Sequence, residues 1–397
     1  MADLKPDPLP PRHLGTWILQ PDGYRAFIPR PLSAHPPLVF DSTLQNALSR
    51  ADRALARLDG ISAVLPNPDL FIAMYVKKEA LLSSQIEGTQ ASLEGVLEFE
   101  SDLTPRDDVN DIREVVNYIR ALNEGIAQLT ATGLSLDLLR SLHRILLDGT
   151  RGARRHPGEF RTVQNWIGLS GASIDEAIFV PPPPSDLLPA LNDLEAFINA
   201  PDDLPPLIRI ALIHYQFETI HPFLDGNGRM GRLLITLFLI ARGILTKPLL
   251  YLSLFLKRRR SEYYDLLMRA RLEGDILSWI LFFLEGVADT SAQASQTARE
   301  IIALKEQLFS RLYEHSSASI YAVKLIELLF NRPIISVNTV IDTMHLSKEA
   351  ANEMVKRFEK IGILKEITGK QRYKRYLFRE YVEIIAKGTK STPNHAV

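Results

Sequence analysis

At 397 residues, 46% hydrophobic and 23% charged with a net charge of −1, the chain can bury a sizeable core and exceeds the usual span of one domain. Near-neutral charge argues against a molecule coated in nucleic acid, and the absence of Cys excludes disulfides and thiolate catalysis. No apolar stretch reaches the roughly 18 residues that cross a bilayer, and Met1–Pro6 lacks a signal-peptide pattern, so a cytoplasmic protein with no membrane partner is expected.

In chain order, a proline-rich arm is expected to about Pro37, followed by a helix capped by Asp41 or Ser42 that stops at Gly60. Asn67 and Pro68 read as the N-cap and first-turn proline of a helix running to Gly88. On it Ser83 and Glu87 lie four apart and share a face, a pair that alone is usually no more than solvated surface. Helical patterns follow over 108–129 and 135–147. Asn165–Gly168 and Ala177–Val180 read as two short strands of a hairpin, closed by the extended connector Pro181–Pro184. Two more helices are expected over 185–198 and 205–220.

The next twelve residues, His221 to Arg232, are the most informative in the chain. Gly226, Asn227 and Gly228 can take backbone angles closed to most residues, so successive N–H groups can point into one concavity and cradle a phosphate. Arg229 opens a Leu- and Ile-rich helix running to Ile240, whose positive end faces the same anion. Arg229 and Arg232 share a face of its first turn, where each can take phosphate oxygens bidentately. Asp225 suits a Mg²⁺ ligand, because that ion takes one or two carboxylates and fills its shell with waters and substrate phosphates. His221 supplies an imidazole, which ordinarily titrates near 6.5 and accepts a proton at neutral pH. Base, metal and cradle together point to attack of a hydroxyl on a phosphoryl group.

Beyond it, Ser261–Asp265 opens another helix, and Trp279, Phe282 and Phe283 on a later one have the helical spacing of core residues. Ala288–Tyr313 is amphipathic and reads as a connecting helix. Helices over 320–329, 337–344 and 348–361, the last capped by Ser347, precede strands at Ile363–Ile367 and Tyr373–Leu377, the pattern of a winged helix-turn-helix. Lys370, Arg372, Lys374 and Arg375 give its wing a basic edge suited to DNA phosphates, while Glu349, Glu353 and Glu359 on the third helix favour a protein-docking or dimerisation module.

His221-Pro222-Phe223-Leu224-Asp225-Gly226-Asn227-Gly228-Arg229-Met230-Gly231-Arg232 resembles the signature of the Fic family, His-x-Phe-x-(Asp/Glu)-Gly-Asn-Gly-Arg-x-x-Arg, at every specified position. The resemblance implies a protein adenylyltransferase that moves AMP from ATP to a Ser, Thr or Tyr hydroxyl. In it His221 is the base and Asp225 holds Mg²⁺. The ATP site runs over Gly226, Asn227, Gly228, Arg229, Met230, Gly231 and Arg232, with Arg229 on the β-phosphate, Arg232 on the γ-phosphate and Tyr263 walling the adenine. Ser83 and Glu87 in Ser-x-x-x-Glu-Gly resemble the family's inhibitory motif, whose glutamate pairs with the second arginine, here Arg232. Ile178, Phe179 and Val180 would form the flap that docks an extended target by strand addition. The expected fold is mainly α: an N-terminal arm and helical region over 1–105, a Fic-type core with a β-hairpin flap over 106–290, a connecting helix over 291–315 and the winged helix over 316–397. ATP and a hydroxyl-bearing protein, the chain itself included, are the expected partners, with DNA or a second copy as further candidates. A regulatory adaptor that senses ATP and signals through the winged helix is the competing reading.

Overall fold

The computed structural model describes residues 14–64, 68–101, 103–169, 171–201, 204–315 and 319–389. They form two compact units, each assembled from separated stretches of chain. Unit one comprises residues 1–56, 117–246 and 255–290; unit two comprises 57–116, 247–254 and 291–397. Tertiary packing thus joins helices distant in the chain.

Unit one opens on an antiparallel hairpin, β1 (Gly15–Leu19) and β2 (Arg25–Pro29), in a stretch expected to be only an extended arm. Phe27 of β2 is fully buried against Trp17 and Phe179, which explains why so proline-rich a segment is ordered. Helix α1 (Ser42–Val64) starts at Asp41, whose carboxylate accepts the Leu44 N–H at 2.8 Å. It continues through Gly60, where a single glycine costs about 1 kcal/mol and the buried stripe of Leu44, Ala51, Leu55 and Leu58 outweighs it. Asn67, expected as the cap of α2 (Pro68–Ile86), lies outside the described residues.

Helices α3 (Leu93–Glu100) and α4 (Val109–Thr132) follow, α3 capped by Ser92 and unanticipated from the sequence. Next come α5 (Leu136–Leu146), with Ser135 as N-cap, and α6 (Pro184–Asn199). At the centre of unit one is α7 (Pro206–Ile220), a helix with a proline at its start and every residue from Leu207 to Ile220 buried. It packs on α6 and on α8 (Asn227–Ala241). Two of its buried polar side chains tie it to neighbouring segments: Arg209 donates to the carbonyls of Phe197 and Ala200 at 3.1 and 2.8 Å, and Gln216 to that of Arg30 at 2.9 Å. Short α9 (Ser253–Arg258) and α10 (Arg260–Glu273) precede α11 (Ile276–Glu314), one continuous helix that carries Trp279, Phe282 and Phe283 and the whole expected connector.

In unit two, α2 packs on α12 (Ile320–Asn331) and α15 (Arg379–Ala386). Tyr75 of α2 stacks on Phe71 and Tyr251, and buried Glu79 accepts from the Ser253 hydroxyl at 2.5 Å. After α12 come β3 (Ile334–Ile335), α13 (Val337–Met344), α14 (Lys348–Lys360), β4 (Lys365–Glu366) and β5 (Tyr376–Leu377). The sheet order is β3-β5-β4, all antiparallel. This is the expected winged helix, with shorter wing strands and an added first strand.

Candidate active site

Helix α7 ends at His221, whose left-handed backbone (φ 50, ψ 61) turns the chain sharply. A non-glycine residue in that region costs on the order of 1 kcal/mol and persists only where its surroundings over-determine it. Here they do. The His221 carbonyl accepts from Arg161 Nε at 3.0 Å and Asn165 Nδ2 at 3.3 Å, and the Pro222 carbonyl accepts the Arg161 N–H at 2.9 Å. The Phe223 carbonyl accepts from Asn165 Nδ2 and Asn227 Nδ2, while its N–H donates to Asn227 Oδ1. Asn227 therefore spends both ends of its side chain on the loop itself and leaves its backbone at the start of α8.

The Asp225 carbonyl is held by His143, a residue the signature does not include. His143 Nε2 lies 2.9 Å from that oxygen, and its Nδ1 accepts the Gly158 N–H at 2.9 Å. A carbonyl only accepts, so the neutral tautomer carries its proton on Nε2. The ring stacks on Phe223 with centroids 3.7 Å apart, and burial pushes its pKa down to about 4. His214 plays the matching role one helix away. Its Nδ1–H donates to the Gly231 carbonyl at 3.1 Å and its Nε2 accepts from Tyr263 Oη at 2.8 Å, with the pKa lowered by burial to about 3.

What this frame presents is the N-terminal end of α8. Gly226 caps it at φ 77, and the first amides of the helix have no intrahelical acceptor, which makes them donors for an anion. Arg229 and Arg232 are both buried on this turn, so their charges act in a low dielectric. The Asp225 carboxylate stays accessible, with Oδ1 accepting the Gly226 N–H at 2.6 Å and standing 3.7 Å from Arg229. Gly152 makes room for it, since a Cβ there would meet Asp225 Oδ2 at 2.6 Å. One exposed carboxylate fits a Mg²⁺ completed by phosphate and water, and no cluster of three metal-ligating side chains occurs among the described residues. The His221 ring is partly exposed at the mouth of this turn, with Glu218 Oε2 3.9 Å from Nδ1, placed to stabilise an imidazolium.

Two groups of expected site residues land elsewhere. Tyr263 is a core residue, 1% exposed, packed between Tyr264 and Trp279, which leaves almost no surface for a base; Tyr264 is the more exposed of the pair. The flap is joined by a single bridge, Ile167 to Phe179, rather than two strands, with a short 3-10 turn at Ile174–Glu176 between. Phe179 and Val180 are buried, Phe179 beneath the Arg271 guanidinium at 3.9 Å, while Ile178 points out at 58% exposure. Ser83 is buried near the end of α2, and Glu87 sits exposed just past its last residue, its N–H bonded to the Ser84 carbonyl at 3.0 Å.

Sequence reasoning did not anticipate His143, Arg161, Asn165, His214 or Glu218. A histidine on an otherwise apolar helical stripe, such as His143 among Leu138, Leu139, Leu142 and Leu146, is the one signal available beforehand.

A left-handed histidine leading into a glycine-capped helix with two buried arginines is an arrangement suited to an anion, and it carries the Fic-type signature. The chain belongs to the Fic/DOC family: residues 45–127 match the Fic/DOC family N-terminal region and residues 133–239 the Fic/DOC family itself, while 323–376 match an HTH DNA binding domain. It is similar to the protein adenylyltransferase Fic of Drosophila grimshawi, 30% identical over 281 residues that make up 67% of this chain and 52% of that protein. It is likewise similar to the Drosophila willistoni protein of the same name, 32% identical over 253 residues, 59% and 46% of the two chains. The chain thus spans about half the length of these curated relatives. In fold it resembles the crystal structure of a Fic family protein from Desulfovibrio desulfuricans G20, with a TM-score of 0.56 and 20% identity over 87% of this chain and 98% of that one.

Proposed function

We propose that the chain is a protein adenylyltransferase that moves AMP from ATP to a Ser, Thr or Tyr hydroxyl of a protein, releasing pyrophosphate. The observation that carries this reading is the placement of His221 at the end of α7, directly ahead of the α8 amides and two buried arginines. The names of the curated relatives support it. His221 takes the proton of the target hydroxyl as its oxygen forms a bond to the α-phosphorus, and the bond from that phosphorus to the pyrophosphate oxygen breaks. Arg229 and Arg232 hold the β- and γ-phosphates, and the first α8 amides receive the charge that develops on the transferred group; one such donor is worth roughly 3 kcal/mol. Asp225 would hold Mg²⁺, which when bound neutralises phosphate charge.

Glu87 is the proposed brake. By the inhibitory motif it pairs with Arg232, takes the γ-phosphate's arginine away and leaves ATP in an unproductive pose. Glu87 is exposed and Arg232 buried; were Glu87 to close on Arg232 out of water, breaking the resulting pair would cost about 3 to 5 kcal/mol, so its release would be worth at least about a hundredfold in rate.

Incubation with α-labelled ATP and Mg²⁺ tests both parts. Glu87→Gly is expected to label protein about a hundredfold faster than wild type, and His221→Ala not at all. Labelling by His221→Ala at the wild-type rate overturns the catalytic assignment; equal rates for Glu87→Gly and wild type overturn the brake alone.

A second reading, an adaptor whose output is the winged helix, is favoured by the match to a DNA-binding domain over 323–376. It predicts ATP binding without transfer in every variant, together with a gel shift of duplex DNA that weakens when Lys370, Arg372 and Lys374, all exposed on the wing, are replaced.

A further inference from the structure

Unit two encloses a cavity of about 500 Å³ beside the winged helix, within the size range of small-molecule sites. Its wall is charged. Lys77 of α2, Arg332 after α12 and Arg375 ahead of β5 bring three cations to it, against one carboxylate, Glu100 of α3. Glu100 is already matched to Lys77 at 3.1 Å. Arg375 donates only to the Ser101 carbonyl, at 3.5 Å, and neither it nor Arg332 has a carboxylate within ion-pair distance among the described residues. Arg375, expected on the DNA-facing edge of the wing, is instead half-buried on this wall.

Two guanidinium groups without carboxylates, facing one polar cavity, are an arrangement that an anion completes. Each offers a planar fork matched to the oxygens of a phosphate, and the excess of two positive charges suits a dianion better than a monocarboxylate. We propose that this cavity binds a small phosphate-bearing molecule. A duplex is the poorer fit, because the space is only about 500 Å³ and is lined jointly by α2, α3, β3 and the start of α13. The ligand would touch α2 through Lys77, ten residues before Glu87 on the same stretch of chain. This assignment does not depend on the adenylyltransferase reading.

The test is calorimetric titration of the full chain with inorganic phosphate, with circular dichroism and melting temperature as folding controls. Because the signature turn also attracts phosphate, three proteins are compared: wild type, Arg229→Ala/Arg232→Ala, and Arg332→Ala/Arg375→Ala. One saturable site is expected to survive in the signature variant and to weaken at least tenfold in the cavity variant. Arg332→Glu, at an exposed position where folding is not at stake, is expected to weaken it similarly. Unchanged phosphate affinity in both cavity variants, or loss of all binding in the signature variant, overturns the proposal. So does a short duplex that displaces phosphate and loses affinity to the same degree in the cavity variants, which would assign these arginines to DNA.

Discussion

The loop from His221 to Gly228 and the flap from Asn165 to Val180 belong to the same unit and are held in opposite ways. In the loop, the carbonyls of His221, Pro222, Phe223 and Asp225 each have a partner from a distant segment, supplied by Arg161, Asn165 or His143. In the flap, one bridge joins the two limbs and the side chains of Trp166, Leu169 and Ile178 face outward. The difference suits the roles proposed for the two. Donors that stabilise developing charge work only if they are already in place, whereas a surface that reads another protein gains from adaptable, accessible groups.

The comparison breaks most visibly at Phe179, where the flap is anchored. Its ring is buried against Trp17 and Phe27 and under Arg271, and the adjacent Val180 carbonyl accepts the Phe27 N–H at 3.0 Å. Phe179→Ala should destabilise unit one by about 3 to 5 kcal/mol in denaturant unfolding, the ordinary range for emptying such a site. A loss under 1 kcal/mol would mean that the flap is not tied to the hairpin.

Next in size is Arg161. Burial lowers its pKa to about 10, so it stays charged at neutral pH, and its guanidinium serves the carbonyls of His221, Pro182 and Ile220. Arg161→Met keeps the volume and strands those acceptors, a cost on the order of 3 kcal/mol. Because the loop would shift, the rate of AMP transfer should fall by about a hundredfold with little change in KM for ATP. A stability loss without a rate loss would show that Arg161 braces the fold but not the base.

These two cases show what was legible beforehand. The signature could be read because its chemistry is contiguous: His221, Asp225 and the two arginines lie within twelve residues, and a glycine turn has few other uses. Arg161 and His143 act on the same loop from 60 and 82 residues away; nothing local marks Arg161, and His143 shows only as a histidine on an apolar helical stripe. The winged helix was legible through the cap Ser347 and its amphipathic periodicity. The β1–β2 hairpin was not, because its prolines and short length hid a pairing stabilised by Phe179 far along the chain. Which ring of the Tyr263–Tyr264 pair is buried was not legible either, because a tyrosine pair has no local mark for it.

His214 gives a smaller effect with a definite sign. Unfolded, an imidazole titrates near 6.5; folded, this one is held to about 3. Above pH 6.5 both states are neutral and the group is silent. As pH falls below 6.5 the unfolded chain takes up a proton that the folded chain refuses, so stability declines down to about pH 3. At pH 5 the loss is on the order of 2 kcal/mol, read as a drop in unfolding free energy between pH 7 and pH 5 that His214→Gln reduces. An equal pH slope in the variant would place the titrating group elsewhere.

The smallest effect sharpens the comparison best. Ile178 neighbours Phe179 in the same limb, yet its side chain is 58% exposed and the backbone N–H donates to the Ile167 carbonyl at 2.8 Å, which any residue can do. Ile178→Ser should therefore change stability by less than about 0.5 kcal/mol. If the outward residues read the target, the same change should lower labelling of a separate protein while leaving ATP binding intact, because the nucleotide turn is anchored independently. A variant that binds ATP normally and labels every protein at the wild-type rate would leave target choice to the flap backbone alone, which can position an extended segment but cannot distinguish one side chain from another.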